Sequence, residues 1–382
     1  MISQNWIFTL LDTGFFRTGQ PFHAGEGGHS RITSFFPPPM STLQGAIRSA
    51  LASTWGWHPG KNAAWPAELG DTSSLGQLSF RGPHLVKSDK NNAEEYLFPA
   101  PLYLLVKETP GTDSETLTAF LAPGETLSCD LGATVCLPRI KKDTKLEGAR
   151  PAGIFYLTRA GYTATAEGKN PSPRGMYKKE SLWQEEPRIG LKSNTETRTA
   201  ENHNLYRTEH IRPEYHLKIS VVVNGLPAER PSFLKKVVPL GGEGRLAAVE
   251  INSITPETYL DLLPQHPPLV QSRDGKIRFT ISLITACPAD NMERLIREGP
   301  ANAPGKCISA CIGKPQLYGG WDLKNNKPRP LQPYLPPGST WFFEAAVEEK
   351  EKAEALHGQC ISDEAALPYG YGQILIGKWE VD

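Results

Sequence analysis

Two histidines, His23 and His29, stand in a glycine-rich stretch that runs DTGFFRTGQPFHAGEGGHS from Asp12. An imidazole titrates near neutrality, so such a pair could supply general bases for metal-independent RNA cleavage. No lysine or tyrosine partner set accompanies either histidine in sequence, and a lone loop histidine is more often simply solvated. Other chemistries find less support. GGEGR at 241–245 lacks the GK[ST] ending of a phosphate loop, and GEGG at 25–28 lacks the third glycine of a dinucleotide fingerprint. The chain has no GxSxG elbow, no HExxH pair and no paired-aspartate nuclease signature. Six cysteines (129, 136, 287, 307, 311 and 360) form no CxxC pair. Cys307 and Cys311 have a loose zinc spacing, but no second pair follows, so the reading is free thiols with no metal and no cofactor.

Binding chemistry fits the residues better. Between Leu137 and Lys192 there are twelve Lys/Arg against six Asp/Glu, in a chain whose Lys+Arg and Asp+Glu each total 41. Phe155, Tyr156, Tyr162, Tyr177 and Trp183 are interleaved with those charges. Basic side chains reach phosphates and aromatic rings stack on bases, which suits single-stranded RNA. The zero net charge excludes a globally basic nucleic-acid binder and leaves room only for a local patch.

A second candidate lies at FFPPPMSTLQGAIRSAL, Phe35 to Leu51. Three prolines fix an extended lead-in and supply no N–H. Ser41 or Thr42 is then placed to cap a helix over 41–56. Leu43, Ala46, Ile47, Ala50 and Leu51 fall on one apolar face, and Gly45 and Arg48 lie off it. Glycine within a helix costs about 1 kcal/mol relative to alanine, which predicts close packing against that backbone. Free N–H groups at a helix start attract anions, and Arg48 would add charge there.

The elements that must position these residues are short. The chain has 382 residues, 39% hydrophobic, with 35 glycines and 34 prolines. That is room for two domains built from short elements and long loops. No apolar run approaches the ~20 residues of a membrane helix, and the N-terminus lacks signal-peptide features, so a cytoplasmic protein is expected. Strands are predicted at 6–11, 154–162, 216–223, 246–251, 277–285, 341–347 and in the closing GYGQILIGKW. Helices are predicted at 291–297 and 348–357, a buried proline-interrupted segment at 97–106, and a long polar loop or arm over 163–204. Interleaved strands and helices favour two α+β domains of open-sheet type.

Taken in order, the motifs resemble a known family. FRTGQPFHAGEGGHSR, FPPPMSTLQGAIRSAL, LFPAPLYL, RIGLKSNTETRTAENHNLYRTEHIRP, PLGGEGRLAAVE, GKPQLYGGWD, PPGSTWFFE and GYGQILIG are similar to segments of the RAMP proteins of type III-B CRISPR effectors. The group is that of subunit three of the Cmr complex. The resemblance implies an α+β fold of two tandem ferredoxin-like (RRM-type) domains, over 1–210 and 211–382, with long irregular insertions and glycine-rich loops. It implies no catalysis. It implies a grip on the 5′ handle of CRISPR RNA and docking on the large polymerase-like subunit, beside the RAMP backbone subunits. The residues expected at the RNA are Arg17, Arg31, Ser41, Thr42, Gly45 and Arg48, then Lys141, Lys142, Arg188, Lys192 and Arg198. Gly370 and Gly372 are expected to let a backbone turn approach the RNA. Asn194 and Asn202 are expected base readers. The alternative reading is a metal-independent RAMP endoribonuclease that processes precursor RNA through His23 or His29.

Overall fold

A computed structural model of the chain describes residues 1–19, 31–60, 63–89, 93–108, 116–128, 134–140, 148–193, 200–233, 235–322 and 327–380. Two compact units divide it. One comprises Met1–Glu94, Glu180–Ile254 and Leu317–Gln332; the other comprises Glu95–Lys179, Thr255–Gln316 and Pro333–Asp382. A single boundary between 210 and 211 does not describe this division. The reason is that the long insertions contribute to both units.

In the first unit the strand Ile2–Leu10 is central. Gln4 to Phe8 are all buried, so the strand is covered on both faces and reads as a continuous run rather than an alternation. It pairs antiparallel with Leu217–Leu226 on one edge and with Leu246–Ser253 on the other. Ser79–Ser88 lies outside Leu217–Leu226, again antiparallel. Counted along the chain, the spatial order of these four strands is four-one-three-two. One helix, Met40–Thr54, follows the first strand. Between the third and fourth strands the described residues hold no helix but a short strand, Val237–Pro239, paired to the start of the fourth.

The second unit repeats that order with both helices present. Lys276–Leu283, the helix Met292–Glu298, Lys306–Cys311, Thr340–Ala346, the helix Lys350–Ala355 and Ile374–Lys378 succeed one another. The sheet runs Lys306–Cys311, Thr340–Ala346, Lys276–Leu283, Ile374–Lys378, antiparallel throughout. Alternate residues Ile277, Phe279, Ile281, Trp341, Phe343, Ile374 and Ile376 make one core with Leu295, Ala353 and Leu356 of the helices. The other face is buried as well. Tyr103 meets Phe342 edge-on at 5.9 Å. A Cβ on Gly377 would lie 3.1 Å from the Ala166 carbonyl, so the helix Arg159–Ala166 closes directly on the sheet. No helix among the described residues is long and apolar enough to cross a membrane.

Most expected elements form within a few residues of their sequence positions, and two do not. The segment 154–162 is a strand only over Phe155–Thr158 and then turns helical, because the Thr158 hydroxyl accepts from the Gly161 N–H and caps Arg159–Ala166. The 163–204 segment is not an arm without structure. Trp183–Ser193 pairs with Ala200–Pro213 in a long antiparallel ribbon.

Two buried imidazoles make this fold sensitive to pH. His357 Nδ1 accepts from the Ile376 N–H at 3.1 Å and Nε2 lies 2.8 Å from the Pro264 carbonyl, which fixes a neutral ring. Burial pushes His357 and His84 down to about 4. Below about pH 6.5 the unfolded chain takes up these protons and the folded chain does not. Stability is therefore full above that pH and falls as pH drops toward the folded values, by at most about 1.4 kcal/mol per pH unit for each ring. Urea midpoints measured at about pH 7 and about pH 5 should show the lower value at the lower pH; equal midpoints would contradict the assignment.

Candidate nucleic-acid interface

The first strand ends at Leu10, and the next eight residues are pinned by three other segments, at 33–35, 209–211 and 242–246. Leu11 N–H donates to Leu246 O at 3.1 Å. Gly14 and Ile211 exchange a pair of 2.8 Å backbone bonds. The Phe15 carbonyl accepts from Gly242 N–H at 2.8 Å, the Phe16 carbonyl from Phe35 N–H at 2.9 Å, and Thr18 N–H donates to Thr33 O at 2.9 Å. The Ser34 hydroxyl accepts from Phe16 N–H at 3.1 Å and donates to Glu209 O at 2.6 Å. Glycine is required here. At Gly14 a Cβ would fall 2.4 Å from the Phe16 ring, and Gly241, at φ +86°, would set one 2.5 Å from Phe15 O. The motifs beginning FRTG, ending SFFPPP, ending RTEHIRP and containing GGEGR thus meet at one place in the first unit.

Charge binds the same segments. Asp12 faces three guanidiniums: Arg212 at 3.1 Å, Arg245 at 3.1 Å and Arg188 at 3.5 Å. Glu186 takes Arg212 at 2.6 Å and Arg188 at 2.7 Å. A hydrogen bond from the Thr13 N–H, and then the Arg212 and Arg188 guanidiniums, hold the Asp12 carboxyl below its usual range. These groups are partly exposed, so their pairing orients more than it stabilises. Beside them His210 is fully buried. Its Nδ1 lies 3.2 Å from the Thr13 hydroxyl, its Nε2 lies 2.9 Å from Glu243, and Phe15 stacks on its ring at 5.0 Å. Burial lowers the His210 pKa and Glu243 works against that shift.

The helix behind the proline run departs from expectation at its start. It spans Met40–Thr54 with Pro39 as N-cap and no side-chain cap; Thr42 and Leu43 N–H both donate to Pro39 O. Ser41 and Thr42 are therefore helical residues, not caps, because the extended Pro39 already presents its carbonyl to the first turn. The apolar face forms as predicted, with Leu43, Ile47, Ala50 and Leu51 buried. No described residue packs on Gly45: a Cβ there would meet none of their atoms within 4 Å. Arg48 is turned inward. Only 8% exposed, it donates to Asp71 O at 2.6 Å and to Gln44 Oε1 at 3.0 Å, with its guanidinium 5.7 Å from the Trp65 ring centre. Its packing is a structural reason for an arginine at that position.

The other expected residues scatter. Arg17 is exposed and bridges Ser34 through the backbone. Arg31 pairs with Arg207 in a parallel step. Arg188 is engaged by Asp12 and Glu186 as above, and Lys192 lies on the Trp183–Ser193 strand. Lys141, Lys142, Asn194, Arg198, His23 and His29 lie outside the described residues, as does the side chain of Asn202. Gly370 and Gly372 are buried at φ +76° and +69°, and a Cβ on Gly372 would fall 2.9 Å from Ser362 N. Their glycines are demanded by the chain's own turn. Among the described residues of 137–192, the aromatic side chains do not join the basic ones on one surface. Phe155, Tyr162 and Trp183 are core residues. Lys178 pairs with Glu108, Lys169 with Glu167, and Arg159 Nε donates to Leu263 O.

Sequence reasoning missed a second junction. Phe35 stacks on Tyr318, ring centres 4.5 Å apart and planes within 13°. Beside it a Cβ on Gly19 would fall 2.7 Å from Gly319 Cα. The signal was present in the QLYGGWD motif, whose adjacent glycines follow a tyrosine.

Two antiparallel sheets of matching strand order, one in each unit, define an α+β protein of repeated architecture. The family model described as CRISPR-associated protein (Cas_Cmr3) matches residues 6–379. The chain belongs to that family, and it is a component of the type III-B CRISPR effector class. No curated protein matches it. Among solved structures it is similar to a chain of the Type III-B Cmr-beta bound to cognate target RNA, at 15% identity over 97% of this chain and 96% of that one, TM-score 0.49. A chain of Cmr-beta with cognate target RNA and AMPPnP gives 14% identity over 89% and 86%, TM-score 0.48. A chain of the Csm3-Csm4 subcomplex of the type III-A interference complex gives 12% identity over all of both chains, TM-score 0.38. Likenesses this distant carry no functional weight.

Three substitutions separate these roles by thermal or urea unfolding. Gly45→Ala should stabilise the protein by about 0.4–1 kcal/mol, since its methyl enters open space on a helix. Gly372→Ala should destabilise by about 1 kcal/mol or more. Arg48→Ala should destabilise by about 1.5–3 kcal/mol, because two acceptors lose a charged donor. An Arg48→Ala protein as stable as wild type would contradict the inward assignment.

Proposed function

We propose that this chain is the non-catalytic subunit of its effector complex that grips the 5′ handle of CRISPR RNA. It docks on the large polymerase-like subunit, beside the RAMP backbone subunits, in the cytoplasm. Its two units are tandem ferredoxin-like domains. The repeated four-one-three-two strand order supports this, with the strand Val237–Pro239 standing where the second helix of the first domain would be. The observation that carries the RNA reading is the junction in the first unit. There the exposed Arg17 and the backbone pair Arg31–Arg207 border the proline run that leads into a helix with Gly45 facing open space.

In this reading Arg17 and Arg31 contact phosphates, the backbone at Ser41 and Thr42 faces the RNA, and Gly45 lets a sugar or phosphate come near the helix. Lys141, Lys142, Lys192 and Arg198 are carried over from the family resemblance as further phosphate contacts. Arg188 contributes what remains after Asp12 and Glu186. Arg48 belongs to the helix's own packing and is left out. Phosphate contacts of this kind position an RNA, while bases are read where they are unstacked.

A titration tests this. The purified protein, alone and with the large subunit, is mixed with RNA carrying the repeat-derived handle or a scrambled one, and the same samples are run on a denaturing gel. Selective retention of intact handle RNA is the expected result. RNA shortened without added metal would favour the endoribonuclease, and equal binding of both RNAs would contradict the grip. Arg17→Ala should weaken binding of every sequence and lower the salt slope by about one. Gly45→Ala should weaken handle binding without loss of stability; unchanged binding in both variants would contradict the site.

A further inference from the structure

We infer that Phe35 and Tyr318, the latter carried on the segment Leu317–Gln332 and held where Gly319 meets Gly19, form a stacking platform for one unpaired base of a single-stranded RNA. This rests on the RNA-binding reading above and assigns that site a base-recognising part.

The segment is an insertion between the second and third strands of the sheet in the second unit, yet it belongs by packing to the first unit. Two contacts lock it to the loop. The Cβ of an alanine at Gly319 would lie 2.8 Å from Gly19 Cα, and one at Gly19 would lie 2.4 Å from Leu331 Cδ2. Backbone therefore touches backbone, and only glycine permits it. The second contact is the Phe35–Tyr318 stack, in which both rings keep part of their surface in solvent. Phe35 cannot drift, because its N–H is bound to Phe16 O. The platform is thus a near-parallel ring pair held rigidly from both sides.

Its surroundings have the charge that RNA needs. Arg17 and Arg329 are exposed on the two contributing segments, as is Lys327. Arg329 N–H donates to Gly320 O at 2.9 Å, which anchors that arginine's backbone next to the ring pair. Among the described residues, a Cβ on Gly320 would meet only the Arg329 side chain, at 3.7 Å. Planar rings beside cationic side chains are the parts from which sequence-tolerant single-strand sites are made.

The test is a double-mutant cycle across protein and RNA, using the full chain with the large subunit. The probe is synthetic handle RNA and a series of the same RNA with one base removed at each position. Tyr318→Ala should weaken binding of the intact RNA by about 5- to 150-fold, while Tyr318→Phe should stay within about twofold. Gly319→Ala, which must shift the segment off the loop, should lose as much as Tyr318→Ala. Removing one particular base should erase the difference between wild type and Tyr318→Ala. An equal loss on every RNA in the series would mean that Tyr318 acts through structure or a protein contact, and would overturn the platform. No loss at all would overturn it too, while leaving handle binding by the wild type intact. Absence of RNA binding by the wild type would instead refute the reading on which the platform rests.

Discussion

The run Thr13–Thr18 has its backbone committed to parts of the chain that lie far away in sequence. Gly14 is tied to Ile211, Phe15 to Gly242, Phe16 to Phe35 and Thr18 to Thr33. Buried backbone groups must find partners, and here the partners come from three separate stretches, at 33–35, 211 and 242. The consequence is that four loops cannot move independently. Their glycines follow from the same constraint, since any side chain at Gly14 or Gly241 would strike Phe16 or Phe15. The shared carboxylate of Asp12 and the buried His210 sit inside this lattice and add orientation to it. A surface assembled this way is preorganised before any ligand arrives, which lowers the ordering cost of binding.

The repeated sheet explains why loops rather than strands carry the proposed RNA contacts. In RRM-type recognition an open sheet face displays aromatic residues to RNA. In the second unit that face is not open. Thr280, Ser282, Thr340 and Phe342 are buried beneath the helix Arg159–Ala166 and Tyr103. In the first unit the central strand is buried on both faces over Gln4–Phe8. The sheets act as frames, and the polar and aromatic groups left to recognise a partner are those at their ends and in their insertions.

Much of the frame was legible in the sequence. The apolar face of Met40–Thr54 and the strands of the C-terminal sheet follow from periodicity alone, because their burial is local and regular. The failures have physical causes. Proline at 39 supplies the first-turn acceptor, so Ser41 and Thr42 lose the capping role their hydroxyls suggest. The strand Trp183–Ser193 is largely polar in sequence and leaves Ile189 72% exposed, so no buried apolar face marks it there. Within 137–192, Phe155, Tyr162 and Trp183 go to cores and Lys169 and Lys178 pair with carboxylates, which the count of charges and rings does not reveal. The Asp12 network could not be read because its members are spread from 12 to 245. The stack of Phe35 on Tyr318 was hidden for the same reason.

The central claim is that RNA lies on the loop junction of the first unit. Ultraviolet crosslinking of the assembled complex carrying its own CRISPR RNA, followed by mass spectrometry of this chain's peptides, tests it most directly. The account predicts nucleotide adducts on peptides from residues 12–19, 31–54 and 317–332. Adducts confined to the second unit, or none on this chain while neighbouring subunits are labelled, would contradict it.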